Sequence, residues 1–324
     1  MKYRPLGKTG IEVSEIGFGA WALGDAEWWG AQSQKDSLAA LEKAVDLGVT
    51  LIDTASVYGD SERILRTFLA GRSGSTPLIV STKTAPENGI WRPDPWTRWE
   101  EAFSEAYLRR DVEERLQALG VECLDVLFLH SWTRAWNRDP GPLFALQKLK
   151  QEGKIRAVGI STPEQDQDSV NDPMKAGLLD VVQVIYNLFE QDPSAELLPT
   201  AQATGTGVIV RVAFDEGALT GKYSAGTRFP ATDFRATYFK GERLSDTVER
   251  VKAIENDVAG SGYTLPQAAL LYPLAQPGVS AVIPGIRTIS QAEQNTAVGA
   301  LPPLPDTLLK TLRRHRWNRG VWYP

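Results

Sequence analysis

Four side chains of the kinds that move protons sit at or just past the ends of apolar runs. Asp53 closes Thr50-Leu51-Ile52, Lys83 closes Leu78-Ile79-Val80-Ser81-Thr82, and His130 closes Val126-Leu127-Phe128-Leu129. Tyr58 lies in the short loop after Asp53. Apolar runs of this length suit strands buried on both faces of a parallel sheet. In a closed parallel barrel the carboxyl ends of the strands form the rim where chemistry takes place. An acid, a phenol, an amine and an imidazole on one rim could donate, accept and steer a proton. Taken singly, each has a plain reading: a capping carboxylate, a packed phenol, a snorkelling lysine and a satisfied core histidine. What sets them apart is that the barrel reading puts them on adjacent strands.

The rest of the chain supplies those strands. Tyr3-Arg4-Pro5-Leu6 and Ile11-Glu12-Val13-Ser14 flank a turn-rich Gly7-Lys8-Thr9-Gly10 and read as a hairpin. Strand runs follow at Glu15–Phe18, Thr50–Asp53, Leu78–Lys83, Val126–His130, Ala157–Ser161, Val181–Ile185, Val208–Val212 and Ser280–Ile283. Helical patterns fall between them, among them Ser37–Leu47, Ser61–Leu69, Ser104–Leu119, Pro142–Gln151, Ser194–Thr204 and Thr264–Ala275. Gly48, Gly120 and Gly153 follow such stretches as C-terminal caps do. The alternation predicts an α/β fold, a (β/α)8 TIM barrel, as one domain over residues 1–324, with the N-terminal β-hairpin closing the bottom. Three long connections, Thr84–Arg98, Ser131–Gly141 and Asp215–Leu244, fall on the rim side, where long loops are usually functional.

Composition narrows the partners. Net charge is −5 with no Lys/Arg-dense segment, which argues against nucleic acid. No apolar run is long enough to cross a bilayer, and the N-terminus has no signal-peptide stretch. One cysteine, Cys123, excludes an intrachain disulfide and suits a reducing cytoplasm. Two histidines and one cysteine cannot build a His/Cys zinc site; an Asp/Glu oxygen site for Mg²⁺ stays open, but no compact carboxylate motif marks one, and no metal is expected.

Gly17-Phe18-Gly19-Ala20-Trp21-Ala22 fits the dinucleotide fingerprint G-x-G-x-x-G/A. Its context does not fit. Ala20–Gly30 carries three Trp and two further Gly and does not read as a helix, and Asp53 lies too far on. Gly17 and Gly19 are better explained as relief of crowding at the top of the first strand.

The segments Asp53-Thr54-Ala55-Ser56-Val57-Tyr58-Gly59, Ser81-Thr82-Lys83 and Leu127-Phe128-Leu129-His130 resemble those of the aldo-keto reductases. The resemblance runs from Leu6-Gly7-Lys8-Thr9-Gly10 to Ile283-Pro284-Gly285. It implies an NAD(P)H-dependent barrel enzyme that reduces an aldehyde or ketone, or runs the reverse reaction, with Asp53, Tyr58, Lys83 and His130 as its catalytic set. Tyr58 would be the acid, its pKa lowered by Lys83, with Asp53 holding Lys83 and His130 polarising the carbonyl. The resemblance also implies that Ser161 and Gln183 grip the nicotinamide carboxamide. Leu219, Gly221 and Lys222 would run along the pyrophosphate. Gly285, Arg287, Gln291 and Asn295 would hold the adenosine end, the last two from a helix over residues 288–298. Arg287 is the natural partner of a 2′-phosphate and favours NADPH, with NADH as the other possibility. Two positions depart from the family pattern. Arg211 stands where relatives often stack an aromatic ring on the nicotinamide, and Thr162 stands where many carry Asn.

Ten tryptophans is a high count, and most fall in the rim loops. Trp21, after the first strand, and Trp132, two residues after His130, are the best-placed pocket walls. Trp317 and the Trp322-Tyr323 tail could fold over the rim. The expected partner is a small carbonyl compound, and the expected assembly a monomer or small homo-oligomer. Two rival readings are a non-catalytic, cofactor-binding regulatory subunit on the same fold and a Schiff-base lyase using Lys83.

Overall fold

A computed structural model describes residues 1–24, 26–72 and 77–318, so Trp322 and Tyr323 lie outside the described residues. Strands β1 (Tyr3–Pro5) and β2 (Glu12–Ser14) form an antiparallel hairpin. Eight parallel strands follow: β3 (Phe18–Gly19), β4 (Leu51–Asp53), β5 (Ile79–Thr84), β6 (Leu124–Leu129), β7 (Ile155–Ser161), β8 (Val181–Ile185), β9 (Gly207–Arg211) and β10 (Val279–Val282). They are ordered β3 to β10 without a crossover, and parallel bridges Ile16–Val282 and Gly19–Gly285 join the first strand to the last. The expected (β/α)8 barrel is therefore present and closes on itself.

Side-chain period explains how the barrel fills. Alternate residues of a strand face one side, so Leu51, Ile79, Val126, Ala157, Val181, Ile209 and Ala281 form one interior cluster with Leu6, Ile11 and Val13 of the hairpin. The hairpin is thus the floor, and Lys8 N–H donates to Gly205 O at 2.8 Å just below β9. Stepping up by two residues brings in Asp53, Ser81, Gln183 and Arg211, and a further step of two on β5 brings in Lys83. The same inner face that builds the core at the bottom carries polar chemistry at the top.

The outward residues of β5 are tied just as firmly. Thr82 Oγ1 donates to Glu62 at 2.7 Å and Thr84 Oγ1 to Asp111 at 2.6 Å, and Arg115 lies 3.4 Å from Glu62. Burial, the largest influence on both acids, holds Glu62 and Asp111 above the usual carboxylate range. These bonds pin the strand that carries Lys83 to the helices behind it.

Most helices match their sequence patterns within a residue or two, such as Glu105–Leu119 with Ser104 as its N-cap and Gly120 in the left-handed region at φ 68°. The first strand of the barrel spans Phe18–Gly19 in place of the expected Glu15–Phe18, because the preceding residues reach the last strand only through the isolated Ile16–Val282 bridge. The other differences lie in the loops. Ala20–Gly30 contains two four-residue helical turns, Trp21–Gly24 and Ala26–Trp29, where no helix is expected. Asp215–Leu244 folds around short helices, and a helix over Arg243–Val258 follows it.

Glycines sit where the seam is tight. A Cβ on Gly17 would lie 2.9 Å from Ile283 Cγ2 and one on Gly19 3.0 Å from Ile283 O, consistent with relief of crowding at closure. The sharper case is Gly159 in β7, where a Cβ would lie 2.5 Å from both the Phe128 ring and Val181 O. A ring can shift, but a ladder carbonyl cannot. Gly159→Ala is expected to destabilise the barrel by about 1–3 kcal/mol through overpacking, read as a lower urea midpoint. An unchanged midpoint would mean that the barrel interior is loosely filled.

Candidate active site

Three of the four candidate groups arrive on adjacent strands, and the fourth arrives on a turn locked to one of them. Asp53 ends β4 and Lys83 lies near the end of β5; His130 follows β6, its N–H bonded to Thr84 O at 2.9 Å. Tyr58 is placed by the turn after β4, where Ser56 donates to the Lys83 carbonyl from both N–H, at 3.3 Å, and Oγ, at 3.0 Å. The Trp21–Gly24 turn presses on the same segment. A Cβ on Gly24 would lie 2.1 Å from Ser61 N and 2.5 Å from Tyr58 O, so only glycine allows this approach.

Lys83 and Asp53 form a fully buried pair, with Lys83 Nζ 2.6 Å from Asp53 Oδ2. Lys83 also donates to Thr54 O at 2.8 Å. Asp53 Oδ1 accepts from Ser81 Oγ and from Gln183 Nε2, each at 2.7 Å. Three donors therefore hold Asp53, and the ammonium is fixed in direction. Lys83 Nζ lies 4.8 Å from the Tyr58 ring centroid. The Tyr58 and His130 rings meet edge-on at 5.9 Å.

Burial pushes the Tyr58 phenol above its ordinary pKa. The charges of Lys83 and Arg211 and a hydrogen bond from Lys83 oppose that rise without cancelling it. This corrects the expectation of a lowered value: Lys83 acts in the expected direction, but desolvation of a phenolate in this pocket is the larger effect. His130 is held well below the usual imidazole range, first by burial and then by the Lys83 and Arg211 charges, so it is neutral at pH 7. Its Nδ1 is buried and has no hydrogen-bond partner among the described residues.

Around this centre lie the candidate cofactor contacts. Ser161 Oγ is 3.5 Å from Gln183 Oε1, both buried at the barrel mouth. Thr162 Oγ1 turns away and donates to Gln167 at 2.9 Å. Arg211 reaches across β8 and donates from Nη2 to Thr162 O at 3.1 Å, while its Nε is buried without a partner among the described residues. Leu219 is fully buried, and its N–H and that of Gly221 are already bonded within the loop. Lys222 is the side chain of that segment with a charge to offer; burial and Arg235 lower its pKa. Gly285 faces open space at the seam.

At the adenosine end, the helix spans Ile289–Ala297 and is capped by Thr288. Gln291 Oε1 accepts the Arg287 N–H at 2.7 Å, and Asn295 is buried on the same helix. The Arg287 guanidinium is engaged: Nε donates to Gln32 Oε1 at 2.6 Å, Nη1 to Trp29 O at 2.7 Å and Nη2 to Gly30 O at 2.9 Å. Arg287 therefore latches the loop after β3, and the free fork expected for a 2′-phosphate is not what the structure presents.

The two expected pocket walls part company. Trp21 stacks on Tyr58 at 5.7 Å and joins Trp28, Trp29 and Phe234 in an aromatic cluster between the loops after β3 and β9. Trp132 is 1% exposed and packs edge-on to Trp136 at 5.3 Å, beneath its loop, so it forms core and not wall. Trp91 instead lies edge-on to His130 at 5.0 Å and is 45% exposed. Its position in the long loop after β5 was the available signal. Trp317 packs edge-on to Phe189 at 5.4 Å, in the loop after β8.

The profile of the aldo/keto reductase family matches residues 15–316. The chain belongs to that family. Its members are oxidoreductases that use nicotinamide cofactors on small carbonyl compounds. The chain is 30% identical over 307 residues to the aldo-keto reductase YhdN of Bacillus subtilis, covering 90% of this chain and 87% of the relative. It is 27% identical to the NADH-specific methylglyoxal reductase of Escherichia coli, covering 92% and 93%. The solved structure of the glycerol dehydrogenase AKR11B4 from Gluconobacter oxydans superposes with a TM-score of 0.77 at 26% identity, covering 97% of this chain and 94% of that one. The relatives' names include both a reductase and a dehydrogenase.

Proposed function

We propose that this aldo/keto reductase reduces an aldehyde or ketone to an alcohol, with Tyr58 donating the proton to the carbonyl oxygen. The observation that carries the reading is the buried Lys83–Asp53 pair at 2.6 Å with the Tyr58 ring 4.8 Å from the ammonium. The bound nicotinamide supplies the hydride. The residues present suit it. Ser161 and Gln183 offer hydroxyl and amide groups at the mouth, and the orphaned His130 Nδ1 and Arg211 Nε are buried polar atoms without a protein partner among the described residues. Neutral His130 orients the carbonyl by hydrogen bonding and does not compete as an acid. Trp21 and Trp91 wall the substrate space.

A raised phenol pKa keeps Tyr58 protonated through neutral pH, as the reductive direction requires. The proton still moves downhill, because an alkoxide is a stronger base than a phenolate. Oxidation of reduced nicotinamide with a panel of aldehydes, ketones and open-chain sugars tests the reading. Cofactor binding without turnover on any of them would favour the regulatory-subunit alternative. Lys83 Nζ is already bonded to Asp53 Oδ2 and Thr54 O, which argues against its use as a Schiff-base nucleophile.

We further propose that the protein accepts NADH as well as NADPH. The latched Arg287 supports this, and the relative named as NADH-specific is consistent with it. Arg287→Met is expected to loosen the loop after β3 and weaken both dinucleotides by a similar factor. A selective loss of NADPH affinity of about tenfold or more would return Arg287 to the 2′-phosphate.

A further inference from the structure

We propose that Arg211 makes this site bind the reduced nicotinamide more tightly than the oxidised, cationic one. The inference rests on the reading of the site given above. Arg211 pairs in register with Ile185 at the top of β9 and β8, and Ser161 pairs with Gln183 on the β7 side. Because the guanidinium bonds Thr162 O, it bridges from β9 to β7 across the mouth of β8. A fixed cation therefore lies beside the residues that would hold the carboxamide, in the place where relatives often have an uncharged ring.

The other charges at the mouth do not cancel it. Lys83 is matched by Asp53 at 2.6 Å, so that pair contributes little net field. Glu164 is the counter-charge to Arg211, but at 3.9 Å and with its side chain 28% exposed it is a loose partner. A cation and a cationic ring several Å apart in a partly buried site repel by an amount equivalent to roughly tenfold or more in affinity. The reduced ring is neutral and escapes this penalty, while the planar guanidinium can still stack on it. The consequence is selection of reduced cofactor from a mixed pool and rapid release of the oxidised form. The same repulsion opposes hydride loss on the enzyme, which makes proton delivery from Tyr58 the step that draws the reaction forward.

The test is titration of the purified protein with NADH, NAD+, NADPH and NADP+, read by tryptophan fluorescence without substrate. Wild type is expected to bind each reduced form about tenfold more tightly than its oxidised partner. Arg211→Gln is expected to collapse that ratio toward unity, mostly by tightening the oxidised form. Arg211→Lys, which keeps the charge, is expected to retain it. Glu164→Gln, which removes the counter-charge and leaves Arg211 in place, is expected to widen it. An unchanged ratio in Arg211→Gln, or equal weakening of both forms, would overturn the inference. Equal affinities in wild type would overturn it while leaving the proposed activity intact, whereas failure of wild type to bind any dinucleotide would overturn both.

Discussion

Tyr58→Phe is expected to lower kcat for carbonyl reduction by about 10³-fold while the affinity for reduced nicotinamide stays unchanged. The substitution removes one oxygen and leaves the ring, so the stack on Trp21 at 5.7 Å and the edge contact with His130 at 5.9 Å survive. Lys83 keeps its bonds to Asp53 and Thr54, and no buried charge is stranded. The loss is therefore confined to the proton. The neighbours are poor substitutes, because His130 is neutral and Lys83 is held by Asp53 and Thr54. The pH dependence follows from the raised phenol. Reduction, which needs Tyr58 protonated, should stay flat through neutral pH and fall only in the alkaline range; alcohol oxidation, which needs the phenolate, should rise with pH. Turnover within threefold of wild type in purified Tyr58→Phe would end the assignment.

Much of this site could be read from the chain because strand period and barrel geometry act together. Residues 51 and 53, 79, 81 and 83, and 126, 128 and 130 share a parity, so the apolar runs that announced the strands also fixed which polar residues would face inward. Tyr58 is off that lattice and was found through its motif. Other features left no such mark. The bonds from Thr82 and Thr84 to Glu62 and Asp111 join a strand to two different helices, and their pairing is set by how those helices dock. Arg287 reads as a phosphate ligand in the sequence because two of its acceptors are backbone carbonyls, of Trp29 and Gly30, which are not encoded by residue type, and the third, Gln32, is far away in the chain. Trp132 is buried while Trp91 is half-exposed because exposure in a loop depends on which side of it meets the helices. The sign of the Tyr58 shift depended on how deeply the phenol is buried, a quantity that periodicity does not carry.

The second large effect concerns the fold as much as the chemistry. Asp53→Asn leaves the Lys83 ammonium buried beside a neutral amide, and Lys83→Met leaves the Asp53 carboxylate buried without its cation. Each single substitution is expected to destabilise the protein by about 3–5 kcal/mol, because an unmatched charge in this interior cannot reach water. The double substitution removes both charges. Its amide oxygen can still accept from Ser81 and Gln183, which donate to Asp53 Oδ1 in the parent. The double variant is therefore expected to be more stable than either single one in urea unfolding, although the two losses would sum to an unfolded chain if they were independent. Activity should not follow stability. With no ammonium beside Tyr58, only the Arg211 charge would oppose burial at the phenol, and the refolded double variant should remain as inactive as Lys83→Met. Recovery of turnover together with stability would show that the pair only holds the barrel mouth together; losses that simply add would show that the 2.6 Å contact is not the interaction that ties β4 to β5.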